Sequence, residues 1–191
     1  YLSVMPNMTV LAPANFAELE QMMRYAATGV HHGPIAIRYP RGYIQPEYND
    51  VPPFVLGVPH TIHQGDGVCI FCAGLMVTIG ERVCALLKDK GIDATLVNLR
   101  TLFPLNTAFV IDMARKHHMV VTLEDGVVQG GVGEAVAAAL AQNEIACQCL
   151  VKGYPPVVPH GSPKELKHHY RMDEYAITED ILNQYYQKGE G

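Results

Sequence analysis

The stretch GPIAIRYPRG, residues 33–42, places a short strand directly before a turn that carries two arginines. Its apolar run, residues 34–37, contains β-branched side chains between a glycine and a proline, which predicts one buried-type strand. Arg38 and Arg41 bracket the Tyr-Pro step at which the chain leaves the sheet, because proline lacks the amide hydrogen that a strand ladder needs. Two guanidinium groups at the carboxyl end of a strand suit a phosphate or carboxylate ligand, and pairing with an acidic residue of the chain itself is equally compatible with the pattern.

The composition predicts a globular protein and excludes several classes of partner. Of the 191 residues, 49% are hydrophobic and 17% are charged, and the formal net charge is −5 without a run rich in lysine or arginine. This balance argues against a nucleic-acid or anionic-membrane surface, while local cations still allow small anionic ligands. No apolar run reaches membrane-spanning length and the N-terminus lacks the pattern of a signal peptide, so a cytoplasmic location is the expectation.

The cysteine pattern predicts reduced thiols in a core rather than disulfides. The five cysteines are an odd number, and four of them lie in strand-like apolar runs. Cys69 and Cys72 form a C-x-x-C motif, which also occurs in redox and zinc sites. On an extended strand, however, positions three apart face opposite sides, and the sequence has no second C-x-x-C to complete a metal site.

The first part of the chain predicts one strand–helix–strand unit with a right-handed crossover, its strands at residues 8–12 and 35–39. Between them, Asn15 is placed to cap a helix, and Glu18 is placed to return the reciprocal bond of a capping box. Helical spacing predicts a buried apolar face made of Phe16, Leu19, Met23 and Ala26. Two strands and one helix are too little for a domain, so we expect the trailing half of one, with further residues upstream of Tyr1.

Residues 43–67 show no periodicity and contain several prolines, which predicts a linker with one short strand near residues 54–58. His60 and His63 lie in this segment without a carboxylate or cysteine at metal-site spacing. Both histidines are therefore expected to be solvated.

From residue 68 onward the chain alternates between strand and helix patterns. The predicted strands are residues 68–73, 94–99, 119–123 and 147–151. The predicted helices are residues 77–90, 105–116, 133–142, 163–170 and 179–187. Strands that alternate with helices of about ten residues predict a doubly wound, mostly parallel sheet, so the fold class is α/β.

A glycine-rich stretch lies between a predicted strand and an alanine-rich helix. Glu124, Asp125 and Gly126 are followed by QGGVG at residues 129–133. The spacing does not fit G-x-G-x-x-G, and the lysine of G-x-x-x-x-G-K-[ST] is absent, so a nucleotide loop is not expected. The glycines are predicted to allow close backbone packing at a domain or subunit interface. Glu124 and Asp125 remain open as a general acid and base or as ordinary solvated loop residues.

His160 stands between a proline and a glycine, just before a predicted helix. That helix should begin with Ser162 as its N-cap, Pro163 in the first turn and Glu165 three residues after the cap. His160 is therefore expected to orient a turn, and it belongs to no recognised catalytic triad.

Five segments, taken in order, resemble one family. They are YLSVMPNMTVLAPAN at 1–15, GPIAIRYPRG at 33–42, NLRTLFPLN at 98–106, LEDGVVQGGVGEAV at 123–136 and VPHGSPKEL at 158–166. Together they resemble the C-terminal part of the 1-deoxy-D-xylulose-5-phosphate synthases, which are thiamine-diphosphate enzymes of the transketolase superfamily, over nearly the whole chain. RYPRG is the most specific element, because transketolases and 2-oxoacid dehydrogenase beta-type subunits share the NLRTLFPLN and glycine-rich regions but usually differ there.

The resemblance implies a division into domains. Residues 1–56 would be the trailing part of a transketolase-like pyrimidine-binding α/β domain, and residues 57–65 a linker. Residues 66–191 would form a transketolase C-terminal domain with a doubly wound, mostly parallel sheet.

The resemblance also implies a function. The family joins pyruvate, after its decarboxylation on thiamine diphosphate, to glyceraldehyde 3-phosphate, in the biosynthesis of isoprenoid precursors, thiamine and pyridoxal. The second arginine of RYPRG, which is Arg41 here, would bind the phosphate of the acceptor. Arg38 matches the same motif as a second substrate-binding candidate. The complete enzyme is expected to use thiamine diphosphate with Mg²⁺ and to form a homodimer.

The chain departs from the family in ways that limit its expected activity. The metal-binding motif, the catalytic glutamate and a DGPTHQG-type histidine segment of the family all lie upstream of Tyr1, so the chain alone is expected to be inactive and to bind no cofactor. Phe103 and Asn106 stand where the family often has a lysine and an aspartate. Two alternatives stay open: the C-terminal subunit of a split transketolase or 2-oxoacid dehydrogenase beta-type enzyme, and a non-catalytic dimerisation module with residues 126–133 at its interface.

Overall fold

The computed structural model describes residues 2–40 and 51–186, and strands and helices alternate in it as the sequence predicts. The strands are β1 (Thr9–Leu11), β2 (Ile35–Ile37), β3 (His60–His63), β4 (Val68–Ala73), β5 (Ala94–Asn98), β6 (Thr101–Phe103), β7 (Met119–Val127) and β8 (Gln148–Tyr154). The helices are α1 (Phe16–Ala27), α2 (Met76–Lys88), α3 (Thr107–Lys116), α4 (Val132–Gln142), α5 (Pro163–His169) and α6 (Glu174–Tyr186), and a short 3₁₀ turn, Leu2–Val4, precedes β1. The α/β prediction is confirmed.

The larger sheet has the strand order β3-β5-β4-β7-β8. β4 pairs in parallel with β5 and β7, and β8 pairs in parallel with β7. β3 forms one edge and is antiparallel to β5. The predicted mostly parallel sheet is therefore confirmed, with one antiparallel edge strand that the sequence pattern did not indicate.

The central strand β4 is buried throughout and separates two apolar cores. Ile70 and Cys72 face a core that also contains residues of α2 and α6, whereas Cys69 and Phe71 face a core with residues of α3 and α4. Helices thus cover both faces of the sheet, as a doubly wound fold requires. Burial of a large apolar side chain such as Phe71 contributes about 1.5–3 kcal/mol to folding. The expected opposite orientation of Cys69 and Cys72 is confirmed.

A smaller sheet has the order β2-β1-β6 and combines two strands of the first strand–helix–strand unit with one strand from the later part of the chain. β1 and β2 are parallel and are connected through α1, as predicted. β6, which was not predicted, follows β5 in the chain and pairs antiparallel with β1. The amide of Ala12 donates to the carbonyl of Arg100 at 2.9 Å next to this pairing. Backbone hydrogen bonds therefore connect the first strand–helix–strand unit to the part of the chain that forms the larger sheet.

The strand expected near residues 54–58 is not formed there; β3 lies a few residues later instead. Phe54 packs against Tyr25 of α1 with their ring centroids 5.4 Å apart, and the amide of Phe54 donates to the side chain of Gln21. Phe54, one of the apolar residues on which the strand prediction depended, thus packs against α1. The prediction was wrong because a short apolar run does not reveal whether its partner is a strand or a helix.

The buried face of α1 differs from the predicted one. Glu18, Leu19 and Met22 are buried, while Phe16 and Met23 are 63% and 57% exposed. Of the four apolar residues expected to face the core, Leu19 is buried and Ala26 is half-buried. The helix turns a different face to the core than predicted, because the buried carboxylate of Glu18 binds Asn98 and Arg100 there. Apolar periodicity cannot predict such a contact.

The last helix, α6, begins earlier than the predicted residue 179. Asp173 explains the early start, since its Oδ1 accepts a hydrogen bond from the amide of Ala176 at 2.9 Å, the geometry of an N-cap. Ile177 and Ile181 of this helix are fully buried against the larger sheet. Among the helices of residues 2–40 and 51–186, none combines the length and apolar character needed to cross a membrane.

Candidate functional site

The carboxyl ends of strands from both sheets meet at a small cleft. Arg38 follows β2, Gly74 follows β4, and Asp125 lies near the end of β7; all three line a cavity of about 80 Å³ together with Tyr39 and Pro40. This is the edge of a parallel sheet at which ligands usually bind. The structure therefore places Arg38 at the predicted edge, whereas Arg41 lies outside the described residues.

Arg38 is bound to groups of the protein itself. Its Nη1 donates to Oε1 of Glu124 at 2.6 Å, and its Nη2 donates to the carbonyl of Asp125. The Arg38 side chain is 38% exposed and that of Glu124 is 11% exposed. For Arg38, the structure thus shows pairing with an acidic residue of the chain, one of the two uses that the sequence left open.

Glu124 connects Arg38 to the start of α4. Its second oxygen, Oε2, accepts a hydrogen bond from the amide of Val132 at 2.8 Å. A carboxylate is favoured there because the first amides of a helix point outward and lack partners within it. Both carboxylate oxygens are therefore engaged, an arrangement that differs from a free general acid or base. The sequence signal for it was an acidic residue directly after the predicted strand 119–123; the observed β7 continues through Glu124.

The glycine-rich stretch surrounds this carboxylate. A Cβ atom at Gly131 would lie 2.6 Å from Oε2 of Glu124, and one at Gly126 would lie 3.1 Å from Nη2 of Arg38. Gly130 has φ +71°, a conformation that glycine adopts without strain. The glycines thus allow close packing at the contact between the two sheets.

A second ion pair, which sequence reasoning missed, is buried between α1 and the β5–β6 connection. The side chains of Glu18 and Arg100 are 1% and 3% exposed, and Nε of Arg100 donates to Oε1 of Glu18 at 2.7 Å. Nδ2 of Asn98 donates to both oxygens of Glu18, at 3.0 and 2.9 Å. The amide of Ala14 donates to Oε2 at 2.8 Å. The Glu18 carboxylate therefore accepts from Ala14 and not from Asn15, as the predicted capping box required. Asn15 does cap the helix, accepting from the Glu18 amide at 2.9 Å.

Arg100 also holds the segment that enters β3. Its Nη1 and Nη2 donate to the carbonyls of Pro53 and Pro52 at 3.3 and 2.7 Å. The residue adopts φ +60°, which is uncommon for a side chain larger than glycine. Arginine in this position therefore connects three separate parts of the chain, and the available sequence signal was a charged residue inside an apolar stretch.

The histidines have different environments. His60 borders a cavity of about 270 Å³ that Glu18 and Asn98 also line, and burial together with the nearby Arg100 guanidinium lowers the pKa of His60. Nε2 of His63 lies 3.0 Å from Oδ1 of Asp93 at the surface. The solvated environment expected for both histidines therefore holds for His63 better than for His60. Within residues 2–40 and 51–186, no three side chains of His, Cys, Asp or Glu are grouped to hold a metal ion.

His160 is exposed and lies three residues before the start of α5. The predicted N-cap of that helix is confirmed: Ser162 accepts from the amide of Glu165. The Glu165 carboxylate also accepts from the amide of Ser162, which completes a capping box. These local bonds account for the turn next to His160.

The five cysteines, all within the described residues, form no disulfide, and burial raises the pKa of four of them. It raises the pKa of Cys84 to about 12 and that of Cys149 to about 11. Burial also raises the pKa of Cys69 and of Cys72 well above the ordinary range. Such thiols are protonated at neutral pH and are poor nucleophiles.

We therefore expect Cys69 and Cys72 to resist iodoacetamide at pH 8 and to react readily in concentrated urea. Because the pKa of each thiol is raised in the folded state, its contribution to stability is present below the unfolded pKa of 9 and is lost as the pH rises through 9 and above. Mass spectrometry of the alkylated peptides measures the reaction at each site. Rapid modification of the folded chain at Cys69 or Cys72 would contradict the buried environment.

A family model and curated relatives both match this chain. The family model described as "Transketolase, C-terminal domain" matches residues 58–177. A 1-deoxy-D-xylulose-5-phosphate synthase of Acaryochloris marina is 36% identical over 98% of the chain, and one of Trichormus variabilis is 37% identical over 98%. The chain spans about 30% of the length of these curated relatives.

Solved structures show the same fold. A protein described as a split-gene transketolase in an inactive beta4 tetramer has a TM-score of 0.87 and 27% identity, covering 95% of this chain and 59% of that one. A transketolase of Campylobacter jejuni has a TM-score of 0.72 and 15% identity, covering 95% of this chain and 27% of its own, and at that identity it supports the fold alone.

Proposed function

Because the chain belongs to the transketolase family through its C-terminal domain, we propose that it is the C-terminal part of a 1-deoxy-D-xylulose-5-phosphate synthase. The observation that carries the proposal is the alignment of nearly the whole chain with curated synthases at 36–37% identity. Since the chain spans about 30% of their length, the activity belongs to a longer assembly.

The complete enzyme would decarboxylate pyruvate and join the remaining two-carbon unit to glyceraldehyde 3-phosphate, for the biosynthesis of isoprenoid precursors, thiamine and pyridoxal. In this proposal Arg41 binds the phosphate of the acceptor, and Arg38 belongs to the same substrate site. The position of Arg38 at the carboxyl edge of the sheets supports this location. The planar guanidinium group of Arg41, with its several donors, suits a phosphate.

The described residues do not fit thiamine diphosphate or Mg²⁺. The glycine-rich stretch, which most resembles a phosphate cradle, is filled by the carboxylate of Glu124, and a carboxylate would repel a diphosphate. Thiamine diphosphate supplies the carbanion chemistry of this enzyme class. We therefore assign its binding, and that of the metal, to an N-terminal portion of the same enzyme or to a separate N-terminal subunit, and we propose a homodimer for the whole.

We keep the division into residues 1–56, 57–65 and 66–191 as a proposal for the domains. Two elements cross it. β3 lies within the proposed linker but pairs with β5 of the third segment, and β6 of the third segment pairs with β1 of the first. The two domains would therefore share backbone pairing and be oriented rigidly by it.

The second candidate is the C-terminal subunit of a split transketolase that is completed by a separate chain. It is favoured by the 27% identity and the TM-score of 0.87 with the split-gene transketolase. The two candidates differ in their donor substrate, because a transketolase takes its two-carbon unit from a ketose phosphate and the synthase takes it from pyruvate.

Mixing experiments test the proposal. We expect the chain to show no turnover alone and to produce 1-deoxy-D-xylulose 5-phosphate when it is combined or fused with the N-terminal part of its own enzyme. The assay contains pyruvate, glyceraldehyde 3-phosphate, thiamine diphosphate and Mg²⁺, and it measures carbon dioxide release and the product by mass spectrometry. Each part alone is the control.

Turnover of a ketose phosphate donor in place of pyruvate would favour the split transketolase. Full synthase activity of the chain by itself would contradict the assignment of the cofactor site to other residues.

A further inference from the structure

We propose that Arg38 and Glu124 form a positioning pair for the acceptor site, in which Glu124 holds Arg38 and the adjoining Tyr39–Pro40 turn against the start of α4. The proposal rests on the proposed function, because it takes this turn as one wall of the acceptor site. Arg38 then acts on the acceptor through the geometry of the turn and does not itself bind the phosphate.

The contacts of Arg38 carry the first step. Nη1 donates to Glu124 at 2.6 Å, and Nη2 donates to the carbonyl of Asp125. A carboxylate at this distance neutralises much of the field that an incoming anion would experience. A phosphate that bound Arg38 directly would therefore meet a guanidinium group whose charge is already balanced by Glu124.

The environment of Glu124 carries the second step. The residue is 8% exposed, and its Oε2 accepts from the amide of Val132, the first residue of α4. Side chains at Gly126 or Gly131 would approach Arg38 and Glu124 within 3.1 and 2.6 Å, so the backbone encloses the pair closely. The carboxylate cannot change its orientation without losing the contact with α4 or with Arg38.

The connection of the two sheets carries the third step. The amide of Arg38 donates to the carbonyl of Leu11 at 2.8 Å, so its backbone continues the small sheet, while its side chain reaches the end of β7 in the larger one. Tyr39 and Pro40 follow at once, and Tyr39 is 61% exposed. The side chain of Arg38 therefore adds a second anchor for this segment at the cleft, and removing the carboxylate of Glu124 would weaken that anchor.

The variant Glu124→Gln distinguishes a positioning role of Arg38 from direct phosphate binding, because the two roles predict opposite changes in KM. If Arg38 positions the turn, the KM of the complete enzyme for glyceraldehyde 3-phosphate should rise about tenfold, since a charge-assisted hydrogen bond is weakened. The kcat/KM for unphosphorylated glyceraldehyde should be unchanged. Glu134→Gln is the matched control, because Glu134 accepts from the amide of Gly130 at 2.7 Å in the same stretch but is exposed.

Two outcomes would overturn the pair. A lower KM for glyceraldehyde 3-phosphate in Glu124→Gln would show that freeing the guanidinium improves phosphate binding, so that Arg38 is a ligand. An equal loss with both acceptors would show that Glu124 only stabilises the fold. Arg41→Ala, measured in parallel, tests the proposed function separately: if it leaves the preference for the phosphorylated acceptor unchanged, the phosphate assignment fails whatever Glu124 does.

Trypsin provides a readout on the chain alone, independent of activity. The protease must take the side chain of Arg38 into its own pocket before it can cut the Arg38–Tyr39 bond. Cleavage at this bond, followed by mass spectrometry, should be several-fold faster in Glu124→Gln than in the wild type or in Glu134→Gln. Equal rates in all three chains would overturn the proposal that Glu124 holds Arg38.

Discussion

Replacing Arg100 with methionine is expected to lower the free energy of unfolding by about 3–5 kcal/mol, because the change leaves a buried carboxylate without its cation. The side chains of Glu18 and Arg100 are 1% and 3% exposed, so bulk water does not screen the unpaired carboxylate. The variant also loses the bonds to the carbonyls of Pro52 and Pro53. Urea denaturation of the whole chain at neutral pH, followed by circular dichroism, measures the effect.

Arg24→Met is the matched control. Arg24 pairs with Glu20 one helical turn away at 2.7 Å, but the two side chains are 77% and 54% exposed. Exposed pairs of this type contribute about 0.3–0.5 kcal/mol. If Arg100→Met were no more destabilising than Arg24→Met, the buried pair would not hold α1 to the β5–β6 connection.

The double variant Glu18→Leu with Arg100→Met tests the physical reason for the loss. Removing both charges leaves neither one uncompensated, so this variant should be less destabilised than Arg100→Met alone. A double variant that loses the sum of the two single effects would contradict the coupling between Glu18 and Arg100.

Replacing Arg41 with alanine in the complete enzyme is expected to raise the KM for glyceraldehyde 3-phosphate roughly 10- to 100-fold, because losing a charged hydrogen bond costs about 1.5–3 kcal/mol. Arg41 lies outside the described residues, so this prediction depends on the RYPRG motif and on the position of Arg38 at the cleft. Steady-state kinetics with varied acceptor at saturating pyruvate measures the change.

Two comparisons make the Arg41 result specific. With unphosphorylated glyceraldehyde, wild type and Arg41→Ala should have equal kcat/KM, because the phosphate is the group that Arg41 is proposed to bind. Arg115→Ala removes an exposed arginine near the end of α3, which precedes the amino end of β7, and should leave both acceptors unaffected. An unchanged KM for glyceraldehyde 3-phosphate in Arg41→Ala would remove Arg41 from the site.

The sequence predicted those features that depend on neighbouring residues or on burial in an apolar core. β4 was predicted with its observed bounds, because a continuous apolar run between turn residues identifies a buried strand. The N-cap role of Ser162 was also predicted, since the cap and Glu165 are three residues apart. The opposite orientation of Cys69 and Cys72 required only the two-residue period of a strand.

The sequence did not reveal contacts between distant residues. Glu18 has the spacing of a capping residue, yet its main partners, Asn98 and Arg100, are 80 and 82 positions away. The same contact rotates α1 and exposes Phe16 and Met23, which periodicity had placed in the core. No local pattern states which charged residue a buried carboxylate will meet.

For the candidate site, local patterns predicted a strand that ends in an arginine-containing turn and a glycine-rich connection before a helix, and motifs in a fixed order indicated the family. That these two segments meet, and that Arg38 binds Glu124 across 86 residues, became visible in the folded chain. The physical reason is the range of the interactions. Periodicity and capping act within a few residues, whereas the alignment of the sheets brings together side chains that are far apart in the chain.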